Sequence, residues 1–378
     1  MGTYTFNEKY NGYNQQTYKT SNDADTIMVN GTLLKIRALR GNDVITVKGK
    51  YNYIYGDAGN EKVEVYKGQH EIFGGDGKDT INILSGNSHR IAGGSGDDSI
   101  TINKGNAHNI HGNSGNDIIT VKYGKDHFIY GDAGNDTIML DKNSGKFISV
   151  NGGTGKDTIY VKGGAQSHIY GEEGSDTIVV TGGKNSIISG SGYGSDSSGD
   201  IIKVKSGTSH SIYGAGGNDK ISVSGGTKFE IVGGDGNDTI KITGGTKHII
   251  ETDSAYSGYK DSITVSGGTG HTINIDGTAS VTLTGGKTSI ALDWKWTNDE
   301  KCKISAAAST VTNNMLKIND SCDDYVFSHN GSTLIMTDQY DNCRLEITNF
   351  TNGAFSNGIK FDSRKMSYET IKTKAGIV

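Results

Sequence analysis

The sequence predicts an all-β protein, a parallel β-solenoid of about 13 coils, each 18–24 residues long, with N- and C-terminal caps. Three observations predict it. Glycine supplies 57 of 378 residues and proline none, where average usage is about 7% and about 5%. An acidic residue recurs at Asp25, Asp43, Glu61, Asp79, Asp98, Asp117, Asp136, Asp157, Asp176, Asp200, Asp219, Asp238 and Asp261, in steps of 18 to 24 residues. From Asp43 onward, an aliphatic residue stands two and four residues after every acid, as Ile81 and Ile83 follow Asp79.

That alternation has a period of two, the mark of a strand with one buried face. A second short strand follows another glycine turn and adds one more aliphatic residue, in the series Ile54, Ile72, Ile91, Ile110, Ile129 and onward to Ile273. Each unit is strand, turn, strand, turn. Alone it cannot bury its aliphatic side chains; stacked, the units form one thin continuous core. Proline would remove a ladder N–H from every coil it entered, and only about three inward side chains per coil agree with an apolar fraction of 33%. Residues 1–35, with Tyr4, Tyr10, Tyr13 and Tyr18, lack the repeat and are expected to cap one end. Residues 36–290 form the solenoid. Residues 291–378, where the glycine turns stop and Trp294 and Trp296 appear, are expected to block its other edge.

Composition removes several classes. The glycines do not fall at every third residue, which excludes collagen. A net charge of -5 offers no overall basic field for nucleic acid or an anionic membrane. No apolar run is long enough to span a bilayer, and no N-terminal apolar segment marks a cleavable signal. The three cysteines, Cys302, Cys322 and Cys343, have no CxxC spacing, so a structural zinc site is not expected.

The turns before the acids carry the chemistry. Gly74-Gly75-Asp76-Gly77-Lys78-Asp79 is one; Gly93 to Asp98, Gly152 to Asp157 and Gly233 to Asp238 repeat it. Gly112 to Asp117, Gly131 to Asp136, Gly171 to Asp176 and Gly214 to Asp219 keep glycine five and two residues before the acid. Glycine admits positive φ, which turns carbonyls toward one point. Carbonyl and carboxylate oxygens in a loop are the ligand set of Ca²⁺ rather than zinc or copper. The candidate metal-holding residues are therefore Asp43, Gly59, Glu61, Gly75, Gly77, Asp79, Gly94, Gly96, Asp98, Gly115, Asp117, Gly134, Asp136, Gly153, Gly155, Asp157, Gly174, Asp176, Asp200, Gly217, Asp219, Gly234, Gly236 and Asp238. Carboxylates stacked about 4.8 Å apart repel by roughly 3 kcal/mol per pair at an effective dielectric of about 20. A cation would convert that opposition into folding energy.

These turns resemble the RTX (hemolysin-type calcium-binding repeat) family, whose nonapeptide is G-G-x-G-x-D-x-U-x with U aliphatic. The resemblance spans roughly residues 40–265 and implies several calcium ions held between turns of successive coils. In the family's usual roll both turns of a coil carry the motif. Here the second turn has glycine without a regular acid, as in Gly105-Asn106-Ala107-His108, so calcium is expected along one edge only, as in the single-edge solenoids of some large bacterial adhesins. Asp200 and Asp261 follow insertions and lack the two-glycine frame. The stretch from Asp323-Asp324-Tyr325 through Leu345 to Asn349-Phe350 and Ile359-Lys360-Phe361 resembles the segment that follows RTX repeats. It implies an uncleaved secretion signal, type I secretion machinery as a partner, and a secreted, extracellular location.

A second column is histidine. His70, His89, His108, His127, His210, His248 and His271 stand two residues before the second-strand isoleucine. Their parity points them inward, where a stacked imidazole ladder, a metal ladder or a pH switch would each fit. Outward Tyr55, Tyr130, Tyr170 and Tyr213 could meet a carbohydrate or cell-surface partner. No H-E-x-x-H and no G-x-S-x-G occurs. The expected function is a non-enzymatic, calcium-binding structural module of a secreted bacterial protein, serving folding and export or forming part of a toxin or adhesin. The alternative is a carbohydrate-active enzyme of polysaccharide lyase or epimerase type, or its accessory module.

Overall fold

Every first strand of the repeat places its two aliphatic residues inward and its neighbours outward. In Thr80–Ile83, Ile81 and Ile83 are fully buried while Thr80 is exposed. Parallel, in-register pairing sets like on like: Ile81 lies opposite Val63 on one side and Ile100 on the other. Each buried Ile or Val contributes about 1.5–3 kcal/mol, so a column of them holds what no single coil could. The result is a parallel β-solenoid of about 14 turns with almost no helix.

The computed structural model describes residues 1–9, 17–192, 196–252, 259–275, 278–285, 287–292, 301–306, 315–318, 325–338, 344–348, 359–361 and 365–375. Tyr10, Tyr13, Trp294, Trp296, Cys322, Cys343, Asp323, Asp324, Asn349 and Phe350 lie outside the described residues.

The chain divides into two units, Met1–Ile187 and Ile188–Val378. In the first unit one sheet runs in parallel through strands such as Thr26–Val29, Val44–Val47, Lys62–Val65, Thr80–Ile83 and Ser99–Ile102. The other runs through Lys35–Arg37, Tyr53–Ala58, Glu71–Asp76, Arg90–Ser95, Asn109–Ser114 and Phe128–Ala133. The ladders begin before the first repeat legible in the sequence. Thr3–Phe6 pairs in parallel with Thr26–Val29, and Thr17–Lys19 with Lys35–Arg37.

In the second unit Ile201–Val204, Lys220–Val223, Thr239–Ile242, Lys260–Val265 and Thr278–Leu283 continue one parallel pattern. Ser211–Gly216, Glu230–Asp235, Ile249–Glu251 and Thr269–Ile275 form the other. The pattern then changes: Lys301–Ala306 pairs in parallel with Thr278–Leu283 and Arg344–Thr348. Tyr325–Asn330, Thr333–Asp338 and Arg344–Thr348 form an antiparallel meander. A short helix, Tyr368–Lys374, follows the N-cap Ser367, whose hydroxyl accepts the Thr370 N–H.

Candidate metal-binding edge

The second strand of each coil ends by turning a glycine inward. Gly74 is such a residue; a Cβ built there would sit 2.2 Å from Oδ2 of Asp79. At Gly93 the distance to Asp98 Oδ2 is 2.3 Å, and at Gly112, Gly131 and Gly152 it is 2.3–2.4 Å to Asp117, Asp136 and Asp157. The space that a side chain would fill is taken by the acid, which folds back under its own turn. Gly77 has φ 129° and faces a carbonyl instead, since a Cβ there would lie 1.6 Å from the Gly59 oxygen one coil earlier. The other turn glycines singled out from the sequence, Gly59, Gly75, Gly94, Gly96, Gly115, Gly134, Gly153, Gly155, Gly174, Gly217, Gly234 and Gly236, all take φ between 101° and 149°. The inward glycines, Gly74 and its equivalents, were not among the candidate residues, although their fixed spacing five residues before the acid was the available signal.

In the first unit Asp43, Glu61, Asp79, Asp98, Asp117, Asp136, Asp157 and Asp176 fall in one column, each at most 1% exposed. In the second, Asp200, Asp219, Asp238 and Asp261 do the same, at most 2% exposed. Asp200 and Asp261 keep their places despite the insertions before them: Asp200 N–H donates to Asp219 Oδ1 at 2.7 Å, and Asp261 Oδ1 accepts the Asp238 N–H at 3.0 Å.

One oxygen of the carboxylate is spoken for. Oδ1 of Asp79, Asp98, Asp117, Asp136, Asp157 and Asp176 accepts the N–H of the acid one coil earlier at 2.7 Å. The other oxygen is not. Among the described residues, Oδ2 of Asp43, Asp98, Asp117, Asp136, Asp157 and Asp219 is buried and has no hydrogen-bond partner. Burial, aided by neighbouring acids, pushes the carboxyls of Asp98, Asp117 and Asp136 up to about 7. Burial pushes Asp43, Asp157 and Asp219 up to about 6, and raises Asp79 and Glu61 as well. Asp25, at the start of the column, goes the other way. Its burial is outweighed by hydrogen bonds from the Ser21 hydroxyl and the Gly2 and Ser21 amides. The repulsion expected from the sequence enters the rise at Asp98, Asp117 and Asp136 as the contribution of neighbouring acids, beside the larger effect of burial. Burial drives them toward the neutral form, and a cation would have to displace those protons.

Calcium fits this chemistry. An acidic oxygen that is buried and unsatisfied calls for a partner, and hard oxygen donors are what Ca²⁺ takes. Among the described residues no three His, Cys, Asp or Glu side chains gather at one point, so any ion here would draw on turn carbonyls as well as carboxylates.

An outer ladder runs beside the acids. Asn60 N–H donates to Asn42 Oδ1, Lys78 N–H to Asn60 Oδ1, Asn135 N–H to Asn116 Oδ1 and Lys156 N–H to Asn135 Oδ1, at 2.7–2.9 Å. These exposed amides satisfy turn N–H groups and pin the residue before each acid. Their role passed unnoticed in the sequence because Asn, Lys, Asp and Ser alternate at that position.

On the opposite edge the histidines are buried as expected, each at most 2% exposed. Successive rings of His70, His89, His108 and His127 stack at 4.9–5.3 Å. Nδ1 of each of His89, His108 and His127 accepts the N–H of the preceding histidine at 3.1–3.2 Å. The proton therefore sits on Nε2, which in His70 donates to the Lys67 carbonyl at 2.8 Å. Burial drives His89 and His127 down to about 4 and His108 to about 3, with adjacent rings adding to the shift at His89 and His108. Asn52 continues the column: its Oδ1 accepts the Leu34 N–H at 2.9 Å and its own N–H donates to His70 Nδ1 at 3.1 Å.

Fold and edge together define a class, a parallel β-solenoid whose Gly-rich turns bury a repeating carboxylate. Within that class the family model described as RTX calcium-binding nonapeptide repeat (4 copies) matches residues 38–68, 71–88, 111–143, 168–194 and 230–241. The matched stretches thus carry RTX calcium-binding repeats, in a parallel β-solenoid with turns of about 19 residues. No curated protein matches it. The coils between the matched segments carry the same buried acids, Asp98, Asp157, Asp200 and Asp219.

Proposed function

We propose that this chain is a calcium-dependent structural module of a secreted bacterial protein, folding after export and serving as part of a toxin or adhesin. The observation that carries the reading is the row of buried Oδ2 atoms without hydrogen-bond partners. The residues that would hold Ca²⁺ are the acids Asp43, Glu61, Asp79, Asp98, Asp117, Asp136, Asp157, Asp176, Asp200, Asp219 and Asp238. The turns opened by the glycines two residues before them, a place that Ser198 takes before Asp200, would add carbonyls. The ion supplies positive charge to buried carboxylates; the protein supplies the stacked turns that collect them. Extracellular calcium modules bind at about 10⁻⁴–10⁻³ M, so the same chain would be loose where calcium is scarce and rigid where it is plentiful.

Both ends belong to this proposal as caps, residues 1–35 and 291–378 flanking a solenoid of 36–290, with the C-terminal portion engaging type I export machinery. The test is calorimetric titration of the chelated full chain with Ca²⁺, followed in parallel by far-UV circular dichroism. Several ions per chain, bound together with a gain of β signal, is the expected result. Full β signal in chelator with no heat of binding sinks the reading.

The alternative is a carbohydrate-active enzyme of lyase or epimerase type, or its accessory module, and a shallow groove with two carboxylates away from the acid edge would favour it. The cleft lined by Tyr51, Tyr53 and Arg90 offers Glu71 alone, which favours the non-enzymatic reading.

A further inference from the structure

The modest net charge conceals a segregation that the coil geometry creates. In the first unit the second turns occupy 48–52, 66–70, 84–89, 103–108, 122–127, 141–148, 162–167 and 181–186, and contain ten lysines against two acids, Asp126 and Asp141. The acid-bearing turns of the same coils, from 38–43 to 171–176, contain fourteen acids against three bases. The lysines of the second turns, Lys50, Lys67, Lys104, Lys146 and Lys184 among them, are all exposed. Large aromatic side chains share this edge: Tyr51 is 51% exposed, Tyr66 41%, Tyr123 48% and Phe147 53%.

The edge is also where concavity appears. A cleft of about 270 Å³ is lined by Leu33, Tyr51, Tyr53, Gln69, Glu71 and Arg90. A second, of about 340 Å³, shares Tyr51 and Gln69 and adds Lys50 and Asn87. Arg90 makes no ion pair among the described residues, although Glu71 is its register partner on the adjacent strand.

We propose that this edge binds a linear glycan bearing carboxylates, with one sugar seated in the cleft between Tyr51 and Arg90. Exposed aromatic faces cover the apolar faces of sugar rings, Gln69 and Glu71 meet hydroxyls, and the Arg90 guanidinium matches a carboxylate in a bidentate way. Lysines on the second turns of the other coils, from Lys50 and Lys67 to Lys104, Lys146 and Lys184, then follow the polymer's remaining charges. Duplex DNA fits less well: each strand carries one phosphate per ~3.4 Å of helix axis, against a coil pitch of about 4.8 Å. The cleft also has the size and lining of a sugar subsite rather than a flat polyanion track. The inference rests on the calcium reading only for the folded state that assembles the edge.

The test uses the full chain with saturating Ca²⁺, its fold checked by circular dichroism in every sample. A failure of the calcium reading then appears as lost β signal, and a failure of this one as lost binding with the β signal intact. Hyaluronate is the probe, with dextran, duplex DNA and phosphatidylglycerol vesicles as comparisons. Hyaluronate is expected to bind and dextran not. Arg90→Gln or Tyr51→Ala should weaken hyaluronate about tenfold. Combined Lys50→Gln, Lys67→Gln, Lys104→Gln and Lys125→Gln should flatten the salt dependence. Combined Lys203→Gln, Lys220→Gln and Lys241→Gln, on the other unit's first sheet, should leave binding unchanged. No hyaluronate binding by the folded chain, tighter binding of DNA or vesicles, or equal loss in the Lys203/Lys220/Lys241 variant overturns the proposal.

Discussion

Oδ1 of Asp98 accepts the backbone N–H of Asp79, one coil earlier, at 2.7 Å. That bond places one carboxylate oxygen in a protein ladder and leaves the other, Oδ2, buried without a hydrogen-bond partner among the described residues. The acid column is thus structural on one side and ready for a ligand on the other.

Removing calcium should loosen the chain. Each site occupied at about one hundred times its dissociation constant adds about 2.7 kcal/mol. With several sites, chelation should cancel most of the folding free energy. Urea unfolding with Ca²⁺ and with EDTA measures the difference, and an unchanged midpoint would contradict it.

Asp117→Asn separates the two oxygens. The amide keeps an acceptor for the Asp98 N–H, which Asp117 Oδ1 now takes at 2.7 Å, but gives up the anionic Oδ2. Calcium-free stability should hold or rise, because a buried acid raised to about 7 is gone. The gain on adding Ca²⁺ should shrink by about 2–3 kcal/mol. Asp117→Ala should weaken both states by about 1–3 kcal/mol, since it strands a buried N–H.

Gly77→Ala should be among the most damaging single changes. Positive φ and a carbonyl 1.6 Å from the new Cβ act together, so a loss above about 3 kcal/mol is expected. Gly75→Asn should be milder. A Cβ there would meet the Asp57 carbonyl oxygen at 2.0 Å, but the equivalent place already holds Asp57 at φ 71° one coil earlier and Asn113 at φ 77° two coils on, which shows that the turn can shift to take a side chain. Thermal melts of the two calcium-loaded variants give the comparison, and equal losses would refute it.

The pH response should change sign with calcium. In the metal-free chain, acids raised from 3.8 to about 6–7 contribute stability that is complete below the unfolded value and is lost as pH rises through about 7. Histidines lowered from 6.5 to about 4 contribute stability present above 6.5 and lost as pH falls through about 4. Between about pH 6.5 and 7.5 the histidines of the unfolded chain still titrate and oppose the acids, but eight raised acids stand against six lowered histidines, so acidification should stabilise the chelated protein. The calcium-loaded protein should lose stability over the same interval, as protons displace the ion. Urea midpoints at both ends of that window, with and without Ca²⁺, report the two slopes; parallel slopes would defeat the argument.

His108 can be probed with a residue the column already uses. His108→Asn should retain an acceptor for the His89 N–H, as Asn52 does for Leu34, and stay within about 1 kcal/mol of the parent. His108→Phe removes that acceptor and should cost about 1–3 kcal/mol. Both should flatten the loss of stability below pH 6.5 in calcium-loaded samples. Equal stability of the two variants would show that stacking, not the Nδ1 bond, holds the ladder.

Strand positions, their inward faces and the two edges were legible because parallel in-register stacking forces each coil to repeat the same residue types. Ile81, Ile100 and Ile119 must look alike to share one column, and Asp79, Asp98 and Asp117 likewise. The histidine column was readable as inward for the same reason. Its tautomer was not, since Nδ1 is chosen by an N–H nineteen residues away in sequence, as from His89 to His108. Thr3–Phe6 and Thr17–Lys19 escaped notice because they join the ladders through backbone bonds without the Gly-rich frame.

The amino-acid order by itself determined the coil, its core and which turns carry acids, because period and glycine spacing are local and repeat. Only the stacked structure decided that acids such as Asp98 and Asp117 are buried with one oxygen bonded to the coil before, that inward glycines such as Gly74 make room for them, and that lysines scattered over the first half of the chain gather on one edge. Those properties arise between coils, at hydrogen-bond distance across a gap of some nineteen residues, where charge, burial and partners depend on what is stacked above and below.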